Sequence, residues 1–271
     1  MSQTDSTSPT SDSALAPNVE IYGEGRDVVF LHGLLGINEH WLGVVEHIRQ
    51  RCRCLLVELP LLELRGSDCT VDGATQMARK AIQEHCDAPA VLVGNSLGGH
   101  MAMRMAIDHP QDIRALVLAG SSGLFERTFE KDVQHRPSQD WIERKVRDLF
   151  DNPDKAPQEA IDRAYAELSQ RPAARALVRL SKSAKKDHMG ERMQAITHPT
   201  LLLWGKQDIV TPPAVAEEFH SLIPNTTLRW LESCGHAPMI EQPASFAEGL
   251  LSFLDDLDTR TSEVGSCQEV A

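Results

Sequence analysis

The chain has 271 residues, 41% of them hydrophobic and 24% charged, with a formal net charge of −12. This is globular composition, long enough for one buried core, and its acidity argues against the basic face of a nucleic-acid binder. No apolar run reaches the length of a membrane span, and six cysteines in a chain of this size do not make a disulfide scaffold.

The N-terminal stretch MSQTDSTSPTSDSALAP is rich in Ser, Thr, Asp and Pro. It lacks the basic and apolar regions of a secretory signal, so residues 1–18 are expected to be a disordered tail. Short β-branched and apolar runs follow: Asp27–Gly33, Cys54–Pro60, Ala90–Asn95, Ala115–Gly120 and Thr200–Gly205, with a more alternating Thr227–Ser233. Runs of this length, apolar at every position, fit strands buried on both faces of a parallel sheet. Helical patterns lie between them at His40–Gln50, Val71–His85, Leu97–His109, Pro213–Leu222 and Ser245–Leu257. Strand–helix alternation predicts a doubly wound α/β fold. From Leu124 to about Ile196 the alternation breaks into charged sequence of helical period, too long for a loop. The expected organisation is a core over 19–123 and 197–257, a helical cap over 124–196, and a second disordered tail over 258–271. Cys52 and Cys54 form C-x-C, and no Cys/His spacing resembles a zinc site. The thiols are expected to be reduced, in a cytoplasmic protein that needs no metal or organic cofactor.

Chemistry is concentrated in AVLVGNSLGGHM (Ala90–Met101), which carries G-x-S-x-G at Gly94-Asn95-Ser96-Leu97-Gly98 between a strand and a helix. In that context the serine sits on a sharp, strained turn that lifts its hydroxyl clear of the sheet. Gly94 and Gly98 remove Cβ atoms that would clash, and Gly99 lets the following helix pack closely on the sheet. A serine hydroxyl needs an adjacent base. Downstream, Asp208 in LLLWGKQDIVTPP and His236 in ESCGHAPMIEQP each follow a strand end. Read alone, Asp208 is equally a turn-forming residue and His236 a loop histidine; with Ser96 they occur in the order Ser, acid, base. Two main-chain amides are expected to receive the developing oxyanion: that of Leu97, after the serine, and that of Leu34, after His32-Gly33.

Over Val28–Leu254 the sequence resembles the α/β-hydrolase superfamily in VVFLHG, LVGNSLGGHMA, PTLLLWGKQDIVTPP and CGHAPMIEQP, taken in that order. The resemblance implies an α/β-hydrolase fold with Ser96 as nucleophile, His236 as base and Asp208 as orienting acid. It also implies Leu34 and Leu97 as oxyanion donors, and the insertion as a cap. GNSLGG and CGH are similar to the meta-cleavage-product hydrolases, which cut C–C bonds. Those enzymes usually carry a Gly/Pro-rich loop after H-G, a tryptophan after the histidine and a cap arginine for the substrate carboxylate. Here the positions hold Leu34-Leu35-Gly36 and Ala237, with Arg163 as the cap candidate. The expected function is therefore a carboxylesterase or acyl hydrolase acting on a small-molecule ester. C–C hydrolysis, perhydrolysis and a ligand receptor with slow or no turnover are the alternatives. Ser121-Ser122 lies at another strand end without elbow spacing, His32 is expected to shape its loop, and Cys234 to be structural. Trp141, Phe125, Phe129 and Phe150 are expected to pack the cap rather than to line an acyl pocket.

Overall fold

The computed structural model describes residues 15–125 and 137–268, with side chains as far as residue 259. Most of the expected N-terminal tail lies outside the described residues, and the chain is already in a strand at Asn18. One seven-stranded sheet has the order β1-β3-β2-β4-β5-β6-β7. Its strands are β1 (Asn18–Tyr22), β2 (Arg26–Leu31), β3 (Cys52–Glu58), β4 (Ala90–Asn95), β5 (Ile113–Ala119), β6 (Thr200–Gly205) and β7 (Thr226–Leu231). β1 pairs antiparallel with β3, and every other pairing is parallel.

Apolar runs form this sheet because both of its faces are covered. Val29 and Leu31 of β2, Leu55 and Val57 of β3, and Ala90 and Leu92 of β4 enter one core. Their alternate neighbours Val28, Phe30, Cys54, Leu56, Val91 and Val93 enter a second. The first core is closed by α2 (Val71–His85), α3 (Leu97–Asp108) and α7 (Pro213–Leu222), the second by α1 (Leu42–Ile48) and α9 (Pro243–Gln268). Fully burying a Val, Leu or Phe side chain is worth about 1.5–3 kcal/mol, so alternate strand residues drive helix docking on opposite sides.

β3 lies outside β2 and β4 lies inside it, so the connection reverses direction between β2 and β4. A reversal of this kind opens a crevice at the carboxyl ends of the two strands. The loops beginning at His32 and Ser96 both leave the sheet there.

Between β5 and β6 the described residues form α4 (Gln139–Arg147), α5 (Gln158–Leu168) and α6 (Arg171–Lys186), and no strand. Ser138 caps α4 by accepting from the Trp141 amide, and Pro172 sits in the first turn of α6. Apolar residues of α4 and α5 pack into the second core, whereas α6 contributes to both.

Two sequence boundaries are corrected. β1 opens at Asn18, inside the expected tail, and goes unread because a five-residue, half-exposed edge strand offers little periodicity. The helix at the other end continues to Gln268, whereas a tail was expected from residue 258. Its packed stripe Phe246, Leu250, Phe253, Leu254 and Leu257 ends at Leu257. The sequence signal stops there, while extending an existing helix needs no new nucleation. Among the described residues no helix is long and apolar enough to cross a membrane.

Candidate active site

The chain turns from β4 into α3 at Ser96, whose backbone is at φ 53° and ψ −118°. Among the described non-glycine residues only Ser96 and Ser233 have positive φ, a conformation that is costly for an L residue and tends to persist at functional sites. The turn is pinned from several sides. The Ser96 amide donates to the Ala119 carbonyl at 3.1 Å, and the Ser96 carbonyl accepts from the amides of Ser122 at 3.1 Å and His100 at 3.2 Å. A Cβ on Gly94 would come within 2.5 Å of the Gly98–Gly99 backbone, and one on Gly98 would collide with the Leu31 carbonyl. A Cβ on Gly99 would instead meet the Ser121 side chain. Gly99 therefore makes room first for the loop after β5 and also for the Gly94 carbonyl of the sheet, 3.2 Å from where its Cβ would stand.

Asp208 and His236 meet although 28 residues separate them: His236 Nδ1 lies 2.8 Å from Asp208 Oδ2, with both side chains buried. Asp208 is also the turn former. Its Oδ1 accepts from the amides of Val210 at 2.8 Å and Thr211 at 2.9 Å, and the Thr211 hydroxyl donates to Oδ2 at 2.8 Å. One oxygen of Asp208 thus serves the turn and the other faces His236. A carboxylate only accepts, so the imidazole proton sits on Nδ1 and Nε2 is the basic nitrogen.

His32 is fully enclosed, and its two nitrogens are spoken for. Nε2 accepts from the Leu59 amide at 2.9 Å, so the ring proton is on Nδ1 and donates to the Gly33 carbonyl at 2.7 Å. Burial pushes its pKa down, in keeping with a neutral ring that shapes the loop. The Gly36 amide closes the turn onto the same Gly33 carbonyl at 3.0 Å. Among the described residues the amides of Leu34 and Leu97 have no protein acceptor.

Ser96 and His236 face one cavity of about 820 Å³, counting the part open to solvent. Its wall is largely apolar: Leu34 and Leu35 from the loop after β2, Leu149 and Leu177 from the insertion, and Met239 and Ile240 beyond His236. His40 and Ser181 are polar exceptions. His40 has its pKa lowered to about 4, first by desolvation and then by the nearby Arg163 and His32, so it is neutral at pH 7.

The rival residues fall elsewhere. Ser122 Oγ lies 3.3 Å from His100 Nδ1, and His100 Nε2 lies 3.2 Å from Asp187. Ser122 and His100 of this second Ser–His–Asp set are buried and Asp187 is partly exposed, and none of the three lines the cavity at Ser96. Cys234 is fully buried, which pushes its thiol up to about 12. The described cysteines 52, 54, 69, 86 and 234 are all unbridged. Arg163, on α5, donates to the Leu35 carbonyl at 2.8 Å, pairs with Glu167, and does not line the cavity. Trp141 and Phe150 are buried away from it, Phe125 is exposed, and Phe129 lies outside the described residues. Among the described residues no group of three or more His, Cys, Asp or Glu is placed to hold a metal ion.

Several further residues, which the sequence reading did not single out, shape the site. Asn95 donates from Nδ2 to the Ala119 carbonyl at 3.0 Å and to the His236 carbonyl at 2.9 Å, joining the elbow to the histidine loop. Gly120 has φ +50°, and a Cβ there would lie 2.8 Å from His236 Nδ1. Buried Glu241 accepts from the amides of Gly235 at 2.8 Å, Asn152 at 3.1 Å and Asp151 at 3.2 Å. It thereby staples the insertion to the histidine loop. The Asn95 contact has a local hint, its place inside G-x-S-x-G; the others depend on partners far along the chain.

The fold and this site define an α/β-hydrolase. The chain belongs to the alpha/beta hydrolase family, whose model matches residues 28–249. It is 28% identical over 243 residues to a pimeloyl-[acyl-carrier protein] methyl ester esterase of Nitrosomonas europaea, covering 84% of this chain and 96% of that protein. A monoacylglycerol lipase of Xenopus laevis is 26% identical over 264 residues, 88% of this chain and 77% of the lipase. Among solved structures, an alpha/beta hydrolase enzyme from the metagenome of sediments of the Mar Chica lagoon, Morocco, is 30% identical with a TM-score of 0.73. That match covers 89% of this chain and 95% of the other. A serine hydrolase involved in carbazole degradation is 25% identical with a TM-score of 0.75, over 88% and 94%.

Proposed function

We propose that the protein is a serine hydrolase that cleaves a carboxylic ester of a small molecule through an acyl-enzyme. The observation that carries this reading is the strained Ser96 facing the same cavity as a histidine whose Nδ1 is held by a buried carboxylate. Ser96 attacks the ester carbonyl while His236 Nε2 takes its proton. Asp208 holds the tautomer and stabilises the imidazolium. The amides of Leu34 and Leu97 receive the oxyanion, and removing one such donor typically costs about 10²–10³ in rate. His236 then protonates the leaving alcohol, and water, activated by the same nitrogen, releases the acid. The helices between β5 and β6 act as a cap. The apolar wall favours an uncharged acyl or alcohol chain. Relatives named as esterase and lipase support ester cleavage, and the unbridged cysteines favour a reducing compartment such as the cytoplasm.

C–C hydrolysis is the second reading, favoured by the similarity of GNSLGG and CGH to the meta-cleavage-product hydrolases. It is weighed down by Arg163, which is engaged with Leu35 and Glu167 instead of facing the cavity. The test is steady-state hydrolysis of p-nitrophenyl esters of graded acyl length by the wild type and Ser96→Ala. Saturable turnover lost in the variant supports the ester reading. Turnover of a vinylogous diketone acid with none of any ester favours the second. A bound ligand without turnover favours a receptor.

A further inference from the structure

Asp187 stands where an acidic residue is poorly placed. It is the C-cap of α6, where the helix dipole disfavours negative charge. Its carboxylate is held there from outside that helix. Arg104 Nη1 donates to Oδ2 at 2.7 Å and Arg192 Nη1 to Oδ1 at 2.9 Å, with His100 Nε2 3.2 Å from Oδ2. Arg104 and His100 belong to α3, the helix that Ser96 begins. The same cluster pushes the Asp187 pKa down, through His100 first and then Arg104, against the opposing effect of burial.

The contacts run on in both directions. Toward the nucleophile, Ser122 Oγ lies 3.3 Å from His100 Nδ1 and 3.4 Å from the Ser96 carbonyl, which also accepts from the Ser122 amide. Toward the cavity, α6 carries Leu177 and Ser181 on the wall, with Ser181 about 9 Å before Asp187 at the rise of an α-helix. Two further contacts keep α6 against the core. The Met189 amide donates to the Gly123 carbonyl at 2.7 Å, and the Ser183 hydroxyl accepts from the Val71 amide at 3.0 Å. Arg104 is in turn braced by Asp72 and Asp108.

We propose that Asp187, gripped by Arg104 and Arg192 beside His100, is a positioning residue that sets the α6 wall of the cavity against Ser96 and so fixes which chain lengths the site accepts. It touches no substrate and acts through Leu177 and Ser181. The proposal rests on Ser96 being the nucleophile of an ester hydrolase.

The test compares wild type, Asp187→Ala and the milder Asp187→Asn on p-nitrophenyl acetate and octanoate, with hydrogen exchange of α6 measured alongside. Loss of the grip is expected to raise KM for octanoate about tenfold or more in Asp187→Ala, and less in Asp187→Asn, while kcat on acetate stays within about threefold. Exchange at the C-terminal turn of α6 is expected to rise by at least about tenfold in Asp187→Ala. A parallel fall on both esters, or no change on either with unchanged exchange, overturns the proposal. If the wild type cleaves neither ester, the ester-hydrolase reading on which the proposal rests fails. The exchange measurement then still judges the grip: faster exchange in Asp187→Ala upholds it and unchanged exchange overturns it.

Discussion

Asn95 and His236 are joined by a hydrogen bond from Asn95 Nδ2 to the His236 carbonyl at 2.9 Å, across 141 residues of chain. The same amide donates to Ala119, so one side chain inside G-x-S-x-G ties the elbow, the end of β5 and the histidine loop together. Asn95→Ala would remove one hydrogen bond from each of two carbonyls, about 0.5–1.5 kcal/mol apiece, although the Ala119 carbonyl keeps the Ser96 amide. It is expected to lower Tm and, by letting the imidazole drift, to reduce kcat by up to about 10²-fold. Asn95→Asp is expected to be worse, because an ionised carboxylate would face the carbonyl oxygens it now lacks a proton to bind. Thermal unfolding and steady-state kinetics on the two variants check the ordering.

Thr211 and Asp208 separate orientation from charge. Asp208→Asn presents an amide that cannot hold the Nδ1–H tautomer, and kcat is expected to fall by about 10⁴, the loss that this change brings in another Ser-His-Asp enzyme. Thr211→Val keeps the volume and the backbone donors but removes the hydroxyl that donates to Oδ2. One hydrogen bond to a charged group is worth about 1.5–3 kcal/mol, so kcat is expected to fall about ten- to a hundredfold. Equal losses in the two variants would contradict the division of the carboxylate's oxygens between turn and base.

Gly98 and Gly120 are expected to fail in different ways. A Cβ on Gly98 collides with main chain that cannot yield, so Gly98→Ala should prevent correct folding. A Cβ on Gly120 meets the His236 ring, a side chain that can move, although its positive φ adds strain. Gly120→Ala should therefore fold with reduced stability, about 1–2 kcal/mol for a non-glycine residue in the left-handed region, and lose most of its activity. Circular dichroism beside a rate measurement distinguishes the two.

His40 gives the fold a pH dependence. Its pKa is lowered from 6.5 to about 4, so between those values the unfolded chain binds a proton that the folded chain does not. Stability then rises with pH across that window and falls as pH drops from 6.5 toward 4. Asp187 has the opposite charge type and a lowered pKa. Its contribution is present above the unfolded carboxylate value of 3.8 and lost as pH falls below it. Chemical unfolding of wild type and His40→Gln across this range should show a shallower slope between pH 6.5 and 4 in the variant. Parallel curves would contradict the assignment.

Much of the fold was legible because the strands are buried on both faces and read as apolar runs: Ala90–Asn95 and Thr200–Gly205 are strands at those limits, and Val71–His85 is α2. β1 was illegible because it is short, half-exposed and at the sheet edge. Ser96, Asp208 and His236 could be picked out because strained turns and strand ends leave local marks. Gly120 and Glu241 could not, since each matters through a partner that the topology brings near, and Thr211, though it binds Asp208 within one turn, reads as an ordinary turn residue. Asp187 is the extreme case: locally an unfavourable helix end, explained only by two side chains from α3 and by Arg192.

The most direct test of the nucleophile is mass spectrometry of the intact protein after a fluorophosphonate probe, followed by peptide mapping. The account predicts one adduct per chain, located on Ser96, abolished by denaturation and by Ser96→Ala, and strongly slowed in His236→Ala. A folded protein left unmodified by the probe and by a smaller sulfonyl fluoride, or one modified at a different serine, would contradict it.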